Sequence, residues 1–192
     1  MVLGLVESKR TIFLVAGESA CGKDSLVSKL CQETNLTQLI SYTTRPRRQD
    51  ECETHIFISD DEVKQHQDSI IAYTEIGDYK YFCTIEQLYE SNIYVIDPKG
   101  IRYLKNKVND KNIRFVTIYI NVPINIRKDR AINIRGDKPK VYSDRRFNEF
   151  DQFLNFKSGA EFDYAVSNIN FDKAYKIFKN IIETEMEDDT ND

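Results

Sequence analysis

The stretch Thr11–Leu30, TIFLVAGESACGKDSLVSKL, constrains this chain more than any other. Thr11–Ala16 is a short apolar run, the pattern of a strand buried on both faces of a parallel sheet. Gly17-Glu18-Ser19-Ala20-Cys21-Gly22-Lys23 follows with the G-x-x-x-x-G-K spacing of a phosphate-binding loop, and Ser25–Leu30 then carries apolar residues at helical spacing. The order strand, glycine-rich loop, helix is the context that such a loop requires. Glycines let backbone N–H groups turn inward around phosphate oxygens, and the helix N-terminus adds the positive end of its dipole. The lysine supplies a mobile cation for the β- and γ-phosphates.

One residue departs from the pattern. The position after the lysine is usually Ser or Thr, whose hydroxyl binds Mg²⁺, but here it is Asp24, followed by Ser25. A carboxylate beside a phosphate chain needs a cation between them, and Asp is a good hard-oxygen ligand for Mg²⁺. Two roles stay open for Asp24: holding the metal, or capping N–H groups of the loop.

A chain of 192 residues supports one sizeable core with small inserted lobes. The net charge of −4 argues against a general nucleic-acid-binding role. Cys21, Cys31, Cys52 and Cys83 form no C-x-x-C pair, which fits a reducing cytoplasm and neither zinc nor a disulfide framework. His55 and His66 are the only histidines. No apolar run approaches membrane-spanning length, and Met1–Arg10 lacks the apolar core of a secretion signal.

Strands are expected at Leu39–Ser41, His55–Ile58, Ile70–Glu75, Tyr79–Cys83, Asn92–Ile96, Arg114–Asn121 and Tyr164–Ser167. Helices are expected at Asp60–Gln67 with Ser59 as N-cap, and at Thr84–Glu90, Gly100–Val108, Pro123–Ile134, Ser143–Ser158 and Phe171–Met186. Nothing between Ser41 and Ser91 reads as a second core. Helices alternate with strands at both ends of the chain, so the main sheet should be parallel and covered on both faces. Ser41–Arg48, SYTTRPRR, clusters arginines suited to bidentate phosphate contacts, although such a cluster also occurs as plain surface. Arg145 and Arg146 are expected in the first turn of their helix, where cations oppose the dipole, so either an anionic partner or simple solvation is implied.

These features together resemble the guanylate kinase family over nearly the whole chain. The residues that carry the resemblance are Gly17–Ser25, Ser41–Arg48 as S-x-T-T-R-P-x-R, Tyr79–Cys83 and Asp97 before Gly100. It continues through Arg135-Gly136, Arg146, and Asn168 followed by Asp172-Lys173-Ala174-Tyr175. The loop is common to many nucleotide-binding proteins, whereas the TTRPxR stretch is far more specific.

The resemblance implies an α/β fold: a P-loop NTPase-type parallel sheet with helices on both faces, an inserted mixed α/β monophosphate-binding lobe and a helical lid. It divides the chain into a core of residues 1–40, 92–125 and 160–192, a lobe of 41–91 and a lid of 126–159. It implies transfer of the γ-phosphoryl of ATP, with Mg²⁺, to a nucleoside monophosphate, GMP or dGMP. ATP would be held by Gly17, Glu18, Ser19, Ala20, Cys21, Gly22, Lys23, Asp24, Ser25 and Asn168, and the metal by Asp24. Arg45 and Arg48 would clamp the acceptor phosphate with Tyr81 and His55, the last standing where the family has tyrosine. Ser41, Cys83 and Asp97 match base contacts, and Lys23, Arg130, Arg135 and Arg146 match the catalytic cations. No nucleic acid or membrane enters this scheme, and the chain would act as a monomer or homodimer. The family glutamate that reads guanine falls on Ala72, so weak GMP selectivity is expected unless nearby Glu75 substitutes. The G-K-D-S loop and His55 also resemble ribose 1,5-bisphosphate phosphokinase, a relative of the same fold. A non-catalytic guanylate-kinase-like binding module is the third reading, and the intact Gly22-Lys23 argues against it.

Overall fold

The structure, a computed structural model, describes residues 9–47 and 55–188; Arg48 and Cys52 lie outside them. The strands are β1 (Arg10–Ala16), β2 (Ser41–Thr43), β3 (His55–Phe57), β4 (Ile70–Ile76), β5 (Tyr79–Thr84), β6 (Ile93–Val95), β7 (Ile113–Asn121) and β8 (Tyr164–Ser167). The helices are α1 (Lys23–Glu33), α2 (Asp60–Val63), α3 (Ile85–Tyr89), α4 (Pro98–Lys107), α5 (Ile124–Asp129), α6 (Pro139–Ser158) and α7 (Phe171–Asp188).

Successive side chains of a strand point to opposite faces, so a strand that is apolar throughout must be covered twice. That is the situation of Ile12–Ala16 in β1. Phe13 and Val15 pack with Leu26 and Leu30 of α1 and with Ala174 and Phe178 of α7. Ile12, Leu14 and Ala16 pack on the other face with Ile101 and Leu104 of α4 and Phe153 and Phe156 of α6. The parallel sheet runs β6-β1-β7-β8, with β1 joined to β6 on one side and β7 on the other. The phosphate loop therefore leaves the carboxyl end of an inner strand, where open α/β sheets bind their ligands.

A second sheet runs β3-β2-β5-β4, mixed in direction. Its hairpin turns at Gly77, whose φ of +61° glycine adopts without strain. Ile71, Ala72 and Cys83 of this sheet join the apolar cluster of Ile12 and Leu14, so the lobe is rooted in the core. The lobe also has a small core of its own, contrary to the sequence reading. Val63, Ile70 and Phe82 pack together, with Tyr42 stacked on Phe82 at 5.1 Å and on His66 at 4.5 Å between ring centres. Aromatic rings supply much buried area per residue, which is how so short a segment closes a cluster.

Several boundaries differ from expectation, and three of them bear on the lobe and the helical side of the cleft. The strand expected at Leu39–Ser41 is divided between sheets: Leu39 N–H donates to Ile93 C=O at 2.7 Å, and Ser41 opens β2. Between them the Ile40 carbonyl accepts from the Gln87 amide at 2.7 Å instead of from a strand. The expected helix Pro123–Ile134 ends at Asp129 and continues as one π-turn, Arg130–Ile134. Finally, α6 begins at Pro139, a residue preorganised for a first helical turn, and not at Ser143. Arg145 and Arg146 thus lie well inside the helix, beyond the first turn where cations oppose the dipole.

Candidate active site

The loop wraps tightly because two residues take left-handed backbone, Ala20 (φ 63°) and Gly22 (φ 83°). A Cβ on Gly22 would meet Asn168 Nδ2 at 2.6 Å, and one on Gly17 would meet Cys21 Sγ at 2.6 Å and Ile120 O at 2.8 Å. The loop is held from behind. Asn168 Nδ2 donates to Cys21 O at 2.8 Å, and Arg130 donates to Cys21 O at 3.4 Å, Asn168 O at 2.8 Å and Ile169 O at 3.2 Å.

Gly17, Ser19, Ala20, Gly22, Lys23, Asp24 and Ser25 line a cleft of about 690 Å³. The Glu18 and Cys21 side chains turn away from it, contrary to a side-chain role for either in holding ATP. Cys21 is fully buried beneath the loop, and burial pushes its thiol upward. Glu18 accepts from Tyr119 OH at 2.7 Å and Lys157 Nζ at 3.1 Å, and lies 3.5 Å from Arg127. Burial opposes its charge, yet these partners outweigh burial and hold the carboxyl below its ordinary value. Only the backbones of these two residues remain for a ligand.

Cations converge from the helical side. Arg135 grips Asp137 with two N–H groups, at 3.1 and 2.5 Å, and Arg145 reaches the same carboxylate at 2.9 Å. Arg130, Arg135 and Arg145 line the cleft. Burial lowers Arg145 from the usual guanidinium range, Asp137 works against this, and Arg135 adds to it. Arg146 does not reach the cleft. It is exposed and borders a separate cavity of about 320 Å³ with Phe150 and Leu154. Consecutive residues of a helix point about 100° apart, so one position decides which arginine faces in, and here it is Arg145. Arg146 is therefore not among the residues that the structure brings together at the cleft. Lys23 Nζ lies 3.8 Å from the Asp24 carboxylate. Burial alone would lower Lys23, but Asp24 and other neighbours outweigh it and raise the ammonium above its ordinary value.

The other end of the cleft is formed by the second sheet and the start of α4. Ser41, Arg45, His55, Tyr81 and Asp97 line it. Ser41 Oγ and His55 Nδ1 are 2.9 Å apart, and the His55 ring meets Tyr81 edge-on at 5.5 Å. Arg45 is buried, donates to Pro46 O at 2.9 Å and sits 5.4 Å above the Phe57 ring, which Arg47 also covers at 4.8 Å. Asp97 caps α4, accepting from Gly100 N–H at 3.0 Å, and burial raises its carboxyl above the ordinary value. Arg48 is outside the described residues.

Cys83 departs from expectation. It is fully buried beside Ala72, its partner across the ladder, and burial pushes its thiol up to about 12. Its place beside the cleft is taken by Tyr94, a buried phenol near Ser41, Cys83 and Asp97 that sequence reading had counted only as strand core. Thr74 lines the cleft too. Its buried hydroxyl has no hydrogen-bond partner of good geometry among the described residues, although it stands near the Asp97 carboxylate. Glu75 is exposed, accepts from the Tyr73 hydroxyl and does not line the cleft.

A glycine-rich loop at the end of an inner parallel strand, facing a second sheet across a cleft edged with arginines, defines a P-loop protein built to hold phosphates on two ligands. The guanylate kinase family model matches residues 8–185, and the chain belongs to that family. The guanylate kinase of Escherichia coli (strain K12) is 30% identical over 189 residues, 91% of this chain and 88% of the relative. That of Hydrogenovibrio crunogenus (strain DSM 25203 / XCL-2) is 29% identical over 176 residues, 85% of this chain and 82% of the relative. The crystal structure of guanylate kinase from Anaplasma phagocytophilum shares the fold, with a TM-score of 0.66 at 19% identity over 93% of this chain and 87% of that one.

Proposed function

We propose that this protein is an ATP-dependent nucleoside monophosphate kinase that moves the γ-phosphoryl group of ATP to GMP or dGMP. The observation that carries the reading is the single cleft: the phosphate loop with Lys23 forms one end, Arg45, His55 and Tyr81 the other, and Arg135 and Arg145 stand at its helical wall. Phosphoryl transfer needs positioning and charge stabilisation more than a nucleophilic side chain. In this reading the loop N–H groups and Lys23 hold the donor phosphates, Arg45 and Arg48 hold the acceptor phosphate, and residues 126–159 close over the donor to exclude water. A coupled assay of ADP release with a panel of monophosphates and ribose 1,5-bisphosphate tests it, and turnover confined to the sugar bisphosphate would overturn it. The family match favours neither the sugar kinase nor a non-catalytic module. We assign the protein to the cytoplasm, as a monomer or homodimer. Among the described residues no helix is long and apolar enough to cross a membrane.

Mg²⁺ belongs to this reading. Among the described residues no group of three or more His, Cys, Asp or Glu side chains gathers to hold a metal. Asp24 instead lines the cleft beside Lys23 with a side chain 57% exposed. One carboxylate plus nucleotide phosphates is the donor set that suits Mg²⁺, which keeps several waters. When bound, the ion would offset charge on the β- and γ-phosphates. No hydrogen bond among the described residues ties the Asp24 carboxylate to a loop N–H, so the metal role is the better supported of the two. Asp24→Asn is expected to raise the Mg²⁺ concentration needed for half-maximal turnover, while Asp24→Ser keeps activity. A Mg²⁺ titration of the Asn variant that overlays the wild type refutes the role.

The base end supports weak selectivity. Ala72 offers a methyl where guanine recognition would use a carboxylate, and Glu75 points elsewhere. A site that hydrogen-bonds a group discriminates by roughly 10⁴-fold, an apolar wall by far less. Among the described residues Asp97 is then the one acidic group lining this end. Ala72→Glu is expected to raise the kcat/KM ratio of GMP over AMP by about ten- to a hundredfold. Equal ratios in wild type and a folded variant would show that Ala72 does not face the base.

A further inference from the structure

We infer that the Glu149 carboxylate and the terminal phosphate of the nucleotide donor claim the same N–H group of the loop, so that donor entry exchanges one anion for another. The inference rests on the donor reading above. Ser19 N–H donates to Glu149 Oε2 at 2.8 Å. That N–H belongs to the loop whose backbone donors are the means of holding phosphate. A carboxylate oxygen accepts from such a donor as a phosphate oxygen does.

Burial weighs most on Glu149 and pushes its carboxyl above the ordinary value, while the Ser19 N–H and two cations favour the charged form. Lys23 and Arg127 both attract it, and Arg145 lies one helical turn before it on the cleft-facing stripe of α6. Opposing them are burial and the like charge of Glu18. The exchange also links chemistry to movement. Glu149 shares α6 with Arg145, so loss of its bond to Ser19 frees one tie between the loop and the segment that bears a cleft arginine.

The consequence is selective. A triphosphate must displace the carboxylate, whereas a diphosphate, one phosphate shorter, competes with it less. Calorimetric titration of the full chain with Mg²⁺ and a non-transferable ATP analogue, and separately with ADP, measures this. Glu149→Gln keeps shape and accepting power but removes the charge. It is expected to raise the triphosphate-to-diphosphate affinity ratio by about tenfold, the scale of one charge-assisted hydrogen bond. Glu149→Ala should move the ratio in the same direction. If Glu149 merely secures α6, both nucleotides shift together and the unchanged ratio overturns the inference, as does a fall. Failure of either nucleotide to bind wild type overturns the donor reading and this inference with it; binding with an unaltered ratio overturns this inference alone.

Discussion

Lys23→Met is expected to leave a folded protein that transfers phosphoryl groups about a thousandfold more slowly or worse, the scale of losing a cation aimed at developing transition-state charge. Methionine keeps most of the length and apolar stem of lysine, so packing at the start of α1 is little disturbed. What disappears is the charge that Asp24 and Glu149 help to hold on the ammonium. A cation that only tethered nucleotide would raise KM with kcat unchanged; one acting in the transition state lowers kcat itself. The measurement is kcat at saturating ATP and acceptor, with circular dichroism as the folding control. Near-normal turnover in the variant would sink the kinase assignment.

The sequence was most legible where a physical rule leaves one solution. Ile12–Ala16 is apolar at every step, and only an inner strand covered on both faces satisfies that pattern. The loop after it is read from spacing because glycine is needed where φ is +83° and where a Cβ would strike Asn168. Ser59 caps α2 as expected, and in the structure Glu62 completes a reciprocal cap. Legibility fails where the deciding quantity is a direction in space. Cys83 lies in the right strand, but its side chain enters the core while the Tyr94 phenol stands by the cleft. Glu149 is one charged residue among many in a charged helix, and only the packing of α6 on the loop brings it to Ser19. Thr74 and Gln152 were unremarkable in sequence, yet each lines the cleft with a buried polar atom lacking a partner among the described residues.

The adjacent arginines of α6 turn that lesson into a measurement. Arg145→Ala is expected to lower kcat about a hundred- to a thousandfold, whereas Arg146→Ala should stay within about twofold of wild type. Arg145 shares Asp137 with Arg135, so two guanidinium groups surround one carboxylate and retain net positive charge toward the cleft. Such a pair is preorganised: its side chains are ordered before a phosphate arrives, and less entropy is lost when charge develops. Arg146 spends its charge in solvent beside Phe150 and Leu154, where an isolated surface cation contributes little. Arg145→Lys separates charge from geometry. It restores one positive charge but not the planar fork that reaches Asp137, so it should recover only part of the loss. If Arg146→Ala proves the damaging change and Arg145→Ala the silent one, α6 presents its other face during turnover, and the cleft described here is not the arrangement in which phosphoryl transfer occurs.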